Sequence, residues 1–213
     1  KMYSICIIFG AFGAGCMFQS NQSAAALMNS FSIPVNLTGI VLAILVAGVI
    51  IGGIKRIGQV ASKVAPFMCI IYVAAALIIC IINIQKLPEV IGIILTDAFT
   101  GKAAAGGAIG TVMLMGIRRA VFSNEAGLGS ASIAHAAVKT DYPVREGIVA
   151  AMGPLIDTLV VCTATASVII MAGLYGDAAA NMEGIQLTTT AFDSFFPGFG
   201  KYFISLSVFL FAF

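Results

Sequence analysis

From Val64 to Ile84 the chain runs VAPFMCIIYVAAALIICIINI, twenty-one residues without a charge. As a helix at 1.5 Å per residue, that stretch is about 32 Å long, the thickness of a bilayer's hydrocarbon core. The whole sequence has the same character. Of 213 residues 60% are hydrophobic and only 9% are charged, 11 basic and nine acidic. Water-soluble domains carry about 25% charged residues, so too few charges are present to build a wet surface. A membrane protein is the class that remains. The net charge of +2 is small and no basic run points to nucleic acid. The five cysteines (Cys6, Cys16, Cys69, Cys80, Cys162) lie inside apolar runs without CxxC spacing and read as small hydrophobes.

Further apolar runs lie near Tyr3–Met28, Thr38–Ile54, Ala103–Val121 and Val144–Leu174, and another starts at Lys201. Pro34 favours a turn after the first. Pro66 falls in the first turn of the third, where proline is tolerated, and Pro154 marks a kink in the fifth. None alternates as a barrel strand does. The expected class is all-α, a polytopic membrane protein. Both ends are apolar, KMYSICIIFG and SVFLFAF, and the expectation is an excerpt of a longer polypeptide. Lys55, Arg56 and Lys63 in one short connection, with Lys139 and Arg145 in another, place those two connections in the cytoplasm. The other side has Lys86, Lys102 and Lys201 diluted by Glu89, Asp97, Asp177, Glu183 and Asp193.

Polar residues interrupt this apolar plan at three places. In GAGCMFQSNQSAAA, Gly15, Gln19 and Gln22 recur at helical spacing with Ser23 beside them. Such glutamines either join neighbouring helices or meet a substrate. In FSNEAGLGS, Phe122–Ser130, an amide, a carboxylate and two glycines follow Arg118 and Arg119. One arginine at the bilayer centre costs about 2.5–3.5 kcal/mol on insertion scales, so Arg118, Arg119 and Glu125 must face protein or a wet cavity. Residues 103–138 as one helix would span about 54 Å, so a break is expected near Ser123, Asn124, Gly127 and Gly129. Free backbone groups survive at that depth where they line a cavity, and half-helix ends there bind charged ligands. Asp157, inside the fifth run near Thr158, Cys162 and Thr165, is a functional candidate or the ion-pair partner of Arg118 or Arg119. His135 follows Ser130 by five residues, about 140° apart on a helix. That geometry disfavours a nucleophile–base pair, and an enzyme is not expected. An ion channel or a non-transporting membrane subunit is the alternative to a carrier.

IRRAVFSNEAGLGSASIAHAAVKTDYPVREG, GAGCMFQSNQSAAAL and GGIKRIGQV resemble, in the same order, segments of the alanine or glycine:cation symporter family of the amino acid-polyamine-organocation superfamily. The resemblance covers essentially the whole chain. It implies sodium-coupled symport of L-alanine or glycine across a bacterial or archaeal plasma membrane. It also implies a leucine-transporter type fold of two inverted repeats, here family helices three to eight. Residues 1–100 would end the first repeat and 101–213 begin the second, with its discontinuous helix. Gln19, Phe122, Ser123, Asn124 and Gly127 would bind substrate, with Gln22, Arg118, Glu125 and Asp157 behind them. The coupling ion would be Na+, its main site on flanking helices of the same polypeptide. Those helices carry the family's first-helix sites and its glycine- and tryptophan-rich second-helix signature, and this chain has no tryptophan. This stretch alone is not expected to transport. Where many relatives carry a glycine this sequence has IRRA, which leaves the exact unwinding point open.

Overall fold

The computed structural model describes residues 2–10, 13, 16–99, 109–123, 130–176, 182 and 184–213. Every regular element among them is helical. The chain forms two compact units, Lys1–Ile79 with Val168–Phe213, and Cys80–Ser167.

The first unit contains α1 (Met2–Gly10), α2 (Phe18–Phe31), α3 (Val35–Ile50), most of α4 (Gly53–Ile82), α10 (Ile185–Phe195) and α11 (Gly200–Ala212). Ser32 ends α2 in the left-handed conformation (φ 57°), its N–H donating to the Met28 carbonyl at 3.0 Å. Pro34, extended at ψ 135°, then starts α3. Helices α3, α10 and α11 pack against α2. Small buried residues on α2, Ser23, Ala24 and Ala26, allow that approach. Ser205 on α11 donates its hydroxyl to the Ala26 carbonyl at 3.0 Å, and Ser30 Oγ lies 2.6 Å from Ser205 Oγ. Phe192 of α10 is fully buried, 5.6 Å from the Tyr72 ring and 6.3 Å from Phe203. Tyr72 meets Phe211 edge-on.

The second unit contains a 3₁₀ turn (Ile84–Lys86), α5 (Leu87–Phe99), α6 (Ile109–Ser123), α7 (Ser130–His135) and α8 (Pro143–Ile156). After α8 a single π-helical turn, Asp157–Cys162, leads into α9 (Thr163–Met171). His135 Nδ1 and Glu146 Oε1, 2.5 Å apart, clasp α7 to α8. The glutamate therefore engages the histidine as a structural tie.

Two segments, Gly53–Ile82 and Pro143–Met171, are helical, long and apolar enough to cross a membrane. Within the chain only 17% and 11% of their most apolar windows are buried, so lipid or further helices must cover the rest. Several sequence expectations change. Lys55, Arg56 and Lys63 stand on the first turns of α4 and not in a loop, and Pro66 lies in its interior. The cause is length. Thirty residues rise about 45 Å, some 15 Å more than the hydrocarbon core, so the charged end can leave the bilayer as helix. Pro154 lies inside α8. It lacks the N–H for an i→i−4 bond, and the helix takes the wider i→i+5 register three residues later. Residues 185–195, read as part of a loop, form α10.

The basic end of α4 gives a prediction of orientation. In the full-length protein with its native cysteines replaced, Ser62→Cys is expected to resist an impermeant thiol reagent in intact cells and to react in inside-out vesicles. Thr140→Cys should behave likewise. Labelling of either from outside would reverse the topology.

Candidate functional site

Two groups of predicted residues are described, one in each unit. In the first, the apolar interior of α2 is broken by Gln19, Gln22 and Ser23. Gln22 Oε1 accepts the Ile185 N–H at 3.2 Å, capping the start of α10 from 163 residues away. Gly184, just before it, has φ 55°, and a Cβ there would stand 2.5 Å from Gln22 Oε1. The positive φ favours a residue without a side chain, and any Cβ would make the Gln22 amide shift from its bond to Ile185. Gln22 is the helix-joining glutamine. Gln19 differs. Its Oε1 and the Ser23 Oγ one turn on are buried with no hydrogen-bond partner among the described residues. Leaving a buried polar group unpaired costs about 1–3 kcal/mol. The sequence placed both glutamines on one face, and the fold divides their roles.

In the second unit α6 ends at Ser123. Its hydroxyl donates to Asp157 Oδ2 at 2.5 Å and lies 3.6 Å from Cys162 Sγ. Cys162 in turn donates its thiol to the same Oδ2 at 3.8 Å. Residues five apart point about 140° apart on an α-helix. The i→i+5 repeat of the π turn brings Asp157 and Cys162 together on the side facing Ser123. Asp157 is half-buried, and its partner is Ser123 where the sequence offered Arg118 or Arg119. Among the described residues no ion pair joins Asp157 to an arginine. Arg118, Arg119 and Phe122 are exposed on α6. Asn124, Glu125 and Gly127, and with them the expected break, lie outside the described residues. A carboxylate with a hydroxyl and a thiol around it can take up a cation or a proton and can hold two helices together. The link between Ser123 and Asp157 was missed in the sequence, because 34 residues separate them and only the π turn aligns the third member.

Helical throughout its described elements, with two segments apolar enough to cross a membrane and polar groups set among them, the chain has the build of an α-helical membrane protein. The chain belongs to the sodium:alanine symporter family, whose pattern matches residues 1–213. This is a family of carriers and not of enzymes. The chain is 43% identical over 206 residues to the sodium/alanine symporter AgcS of Methanococcus maripaludis, covering 96% of this chain and 45% of that protein. It is 40% identical to the putative sodium/proton-dependent alanine carrier protein YrbD of Bacillus subtilis, covering 92% and 43%. To the probable sodium/glutamine symporter GlnT of the same organism it is 36% identical, covering 92% and 40%. The chain thus spans less than half the length of these relatives.

Proposed function

We propose that the whole protein is a multi-pass plasma-membrane carrier that couples Na+ entry to uptake of small neutral amino acids, alanine or glycine, by alternating access. The architecture proposed is the inverted-repeat one, with residues 1–100 closing one repeat and 101–213 opening the next. The observation that carries the reading is the buried Gln19 Oε1, without a hydrogen-bond partner among the described residues and beside a Ser23 in the same state on α2, in a chain of the symporter family. An acceptor already stripped of water and left unpaired suits a ligand that brings its own N–H groups. Phe122 and Ser123, with Asn124 and Gly127 after them in sequence, carry the same proposal in the second unit. There the discontinuity would let half-helix ends handle substrate or ion. Each bound solute would favour the state to which it binds better, and the two would cross together.

The test is Gln19→Leu in the full-length protein, which removes the hydrogen-bonding group at similar size. Sodium-driven uptake of labelled alanine into proteoliposomes is expected to show a KM raised about tenfold, the loss of roughly one strong hydrogen bond. Membrane yield should be normal. An unchanged KM would make Gln19 a packing residue and remove it from the substrate site.

A further inference from the structure

Within the first unit a polar recess of about 350 Å³ opens among the end of α2, the second half of α10 and the start of α11. That volume is at the small end of the range for ligand sites. Its charged lining residues are Asp193 and Lys201, and Asn29, Ser30, Thr190 and Ser194 supply an amide and hydroxyls. Asp193 uses one oxygen internally. Oδ1 accepts the N–H groups of Gly198 and Lys201, each at 3.2 Å, which fixes the turn into α11. The Lys201 ammonium lies 5.0 Å above the Tyr202 ring, and that ring packs on Phe31 at 4.8 Å. Among the described residues Asp193 and Lys201 form no ion pair with each other. Both signs of charge therefore line one small recess without neutralising one another. Ser194 donates its hydroxyl to the Ala191 carbonyl at 2.7 Å. Ser30 Oγ is 3.2 Å from the Lys201 carbonyl. With their protons directed inward, these hydroxyls offer acceptors to a ligand.

We infer that this recess binds a small zwitterionic amino acid, its ammonium on Asp193 and its carboxylate on Lys201. Neither half of such a ligand alone would satisfy both charges. The recess is distinct from Gln19. Ser30 follows Gln19 by eleven residues on α2, three helical turns or about 16 Å along the same face. Ser23, buried and unpartnered, stands between them. The identity of this zwitterion with the transported solute rests on the proposed symport. The chemistry of the recess does not.

The experiment uses purified full-length protein with native cysteines replaced and Thr190→Cys, an exposed position at the recess. L-Alanine is expected to protect this thiol from a maleimide, whereas propionate and ethylamine at the same concentration are not. Asp193→Asn keeps an oxygen for the two backbone N–H groups and removes only the charge. Lys201→Gln leaves the same backbone bonds in place. Each should raise the half-protecting alanine concentration about tenfold, as loss of a charged hydrogen bond does. Unchanged protection in both variants would overturn the assignment. So would protection that disappears in Gln19→Leu yet persists in Asp193→Asn, because it would then report the Gln19 site at a distance. Normal uptake by Gln19→Leu, with recess protection still dependent on Asp193 and Lys201, would sink the proposed role of Gln19 and leave the recess standing.

Discussion

Gly200→Ala is expected to destabilise the full-length protein markedly, and Gly200→Val to prevent recovery of folded protein. A Cβ on Gly200 would stand 2.5 Å from both the carbonyl carbon and oxygen of Phe192, and 2.6 Å from the Asp193 Cα. These are backbone atoms, so no rotamer change relieves the clash. Either α10 or α11 must move, and Phe192, fully buried at that contact, moves with it. Forcing atoms into a well-packed site costs about 1–3 kcal/mol, occasionally more. Thermal unfolding in detergent, followed by the monodisperse fraction, measures the effect. Gly147→Ala is the control, since nothing lies within 4 Å of a Cβ there. A Gly200→Ala protein that melts with the wild type would mean that α10 and α11 are not packed backbone to backbone.

The second large effect is expected at Asp157. Asp157→Ala removes the acceptor of the Ser123 hydroxyl and the Cys162 thiol together. Hydrogen bonds to a charged group contribute about 1.5–3 kcal/mol. Sodium-driven alanine uptake by the full-length carrier should therefore fall about ten- to hundredfold. Ser123→Ala should lose less, because the carboxylate keeps its other neighbour. The two changes should not multiply, since they break one bond. Fully multiplicative losses in the double variant would show that Ser123 and Asp157 act separately. Wild-type uptake by Asp157→Ala would remove the pair from the transport cycle.

The long apolar runs made the helices legible, because residues 64–82 or 144–171 can only be buried in lipid or in protein. The ends were less so. Charges at Lys55, Arg56 and Lys63 read as a loop, yet lysine, arginine and glutamine are good helix formers and the helix simply outruns the bilayer. Helix α10 was hidden by its composition, IQLTTTAFDSF, whose three threonines resemble a connector. It is helical because Ala191 and Phe192 are fully buried in the first unit's core and Gln22 supplies its missing cap. The candidate residues Gln22, Ser123 and Asp157 were visible as polarity in apolar surroundings. Their partners were not, because hydrogen bonds across 34 or 163 residues depend on packing and leave no periodicity.

The bond from Gln22 to Ile185 also sets a clock. A ribosome adds about 5–20 residues per second, so α10 emerges some 10–30 s after the helix that caps it. The entire second unit, Cys80–Ser167, is synthesised in that interval. Until then α2 must wait with Gln22, Ala26 and Ser30 uncovered, its closing contacts at Ile185, Lys201 and Ser205 still unmade. The first unit is thus the first begun and the last finished. A nascent chain that stalls anywhere before α10 presents an open seam of small and polar residues to the insertion machinery, a mark by which incomplete copies can be held back or degraded.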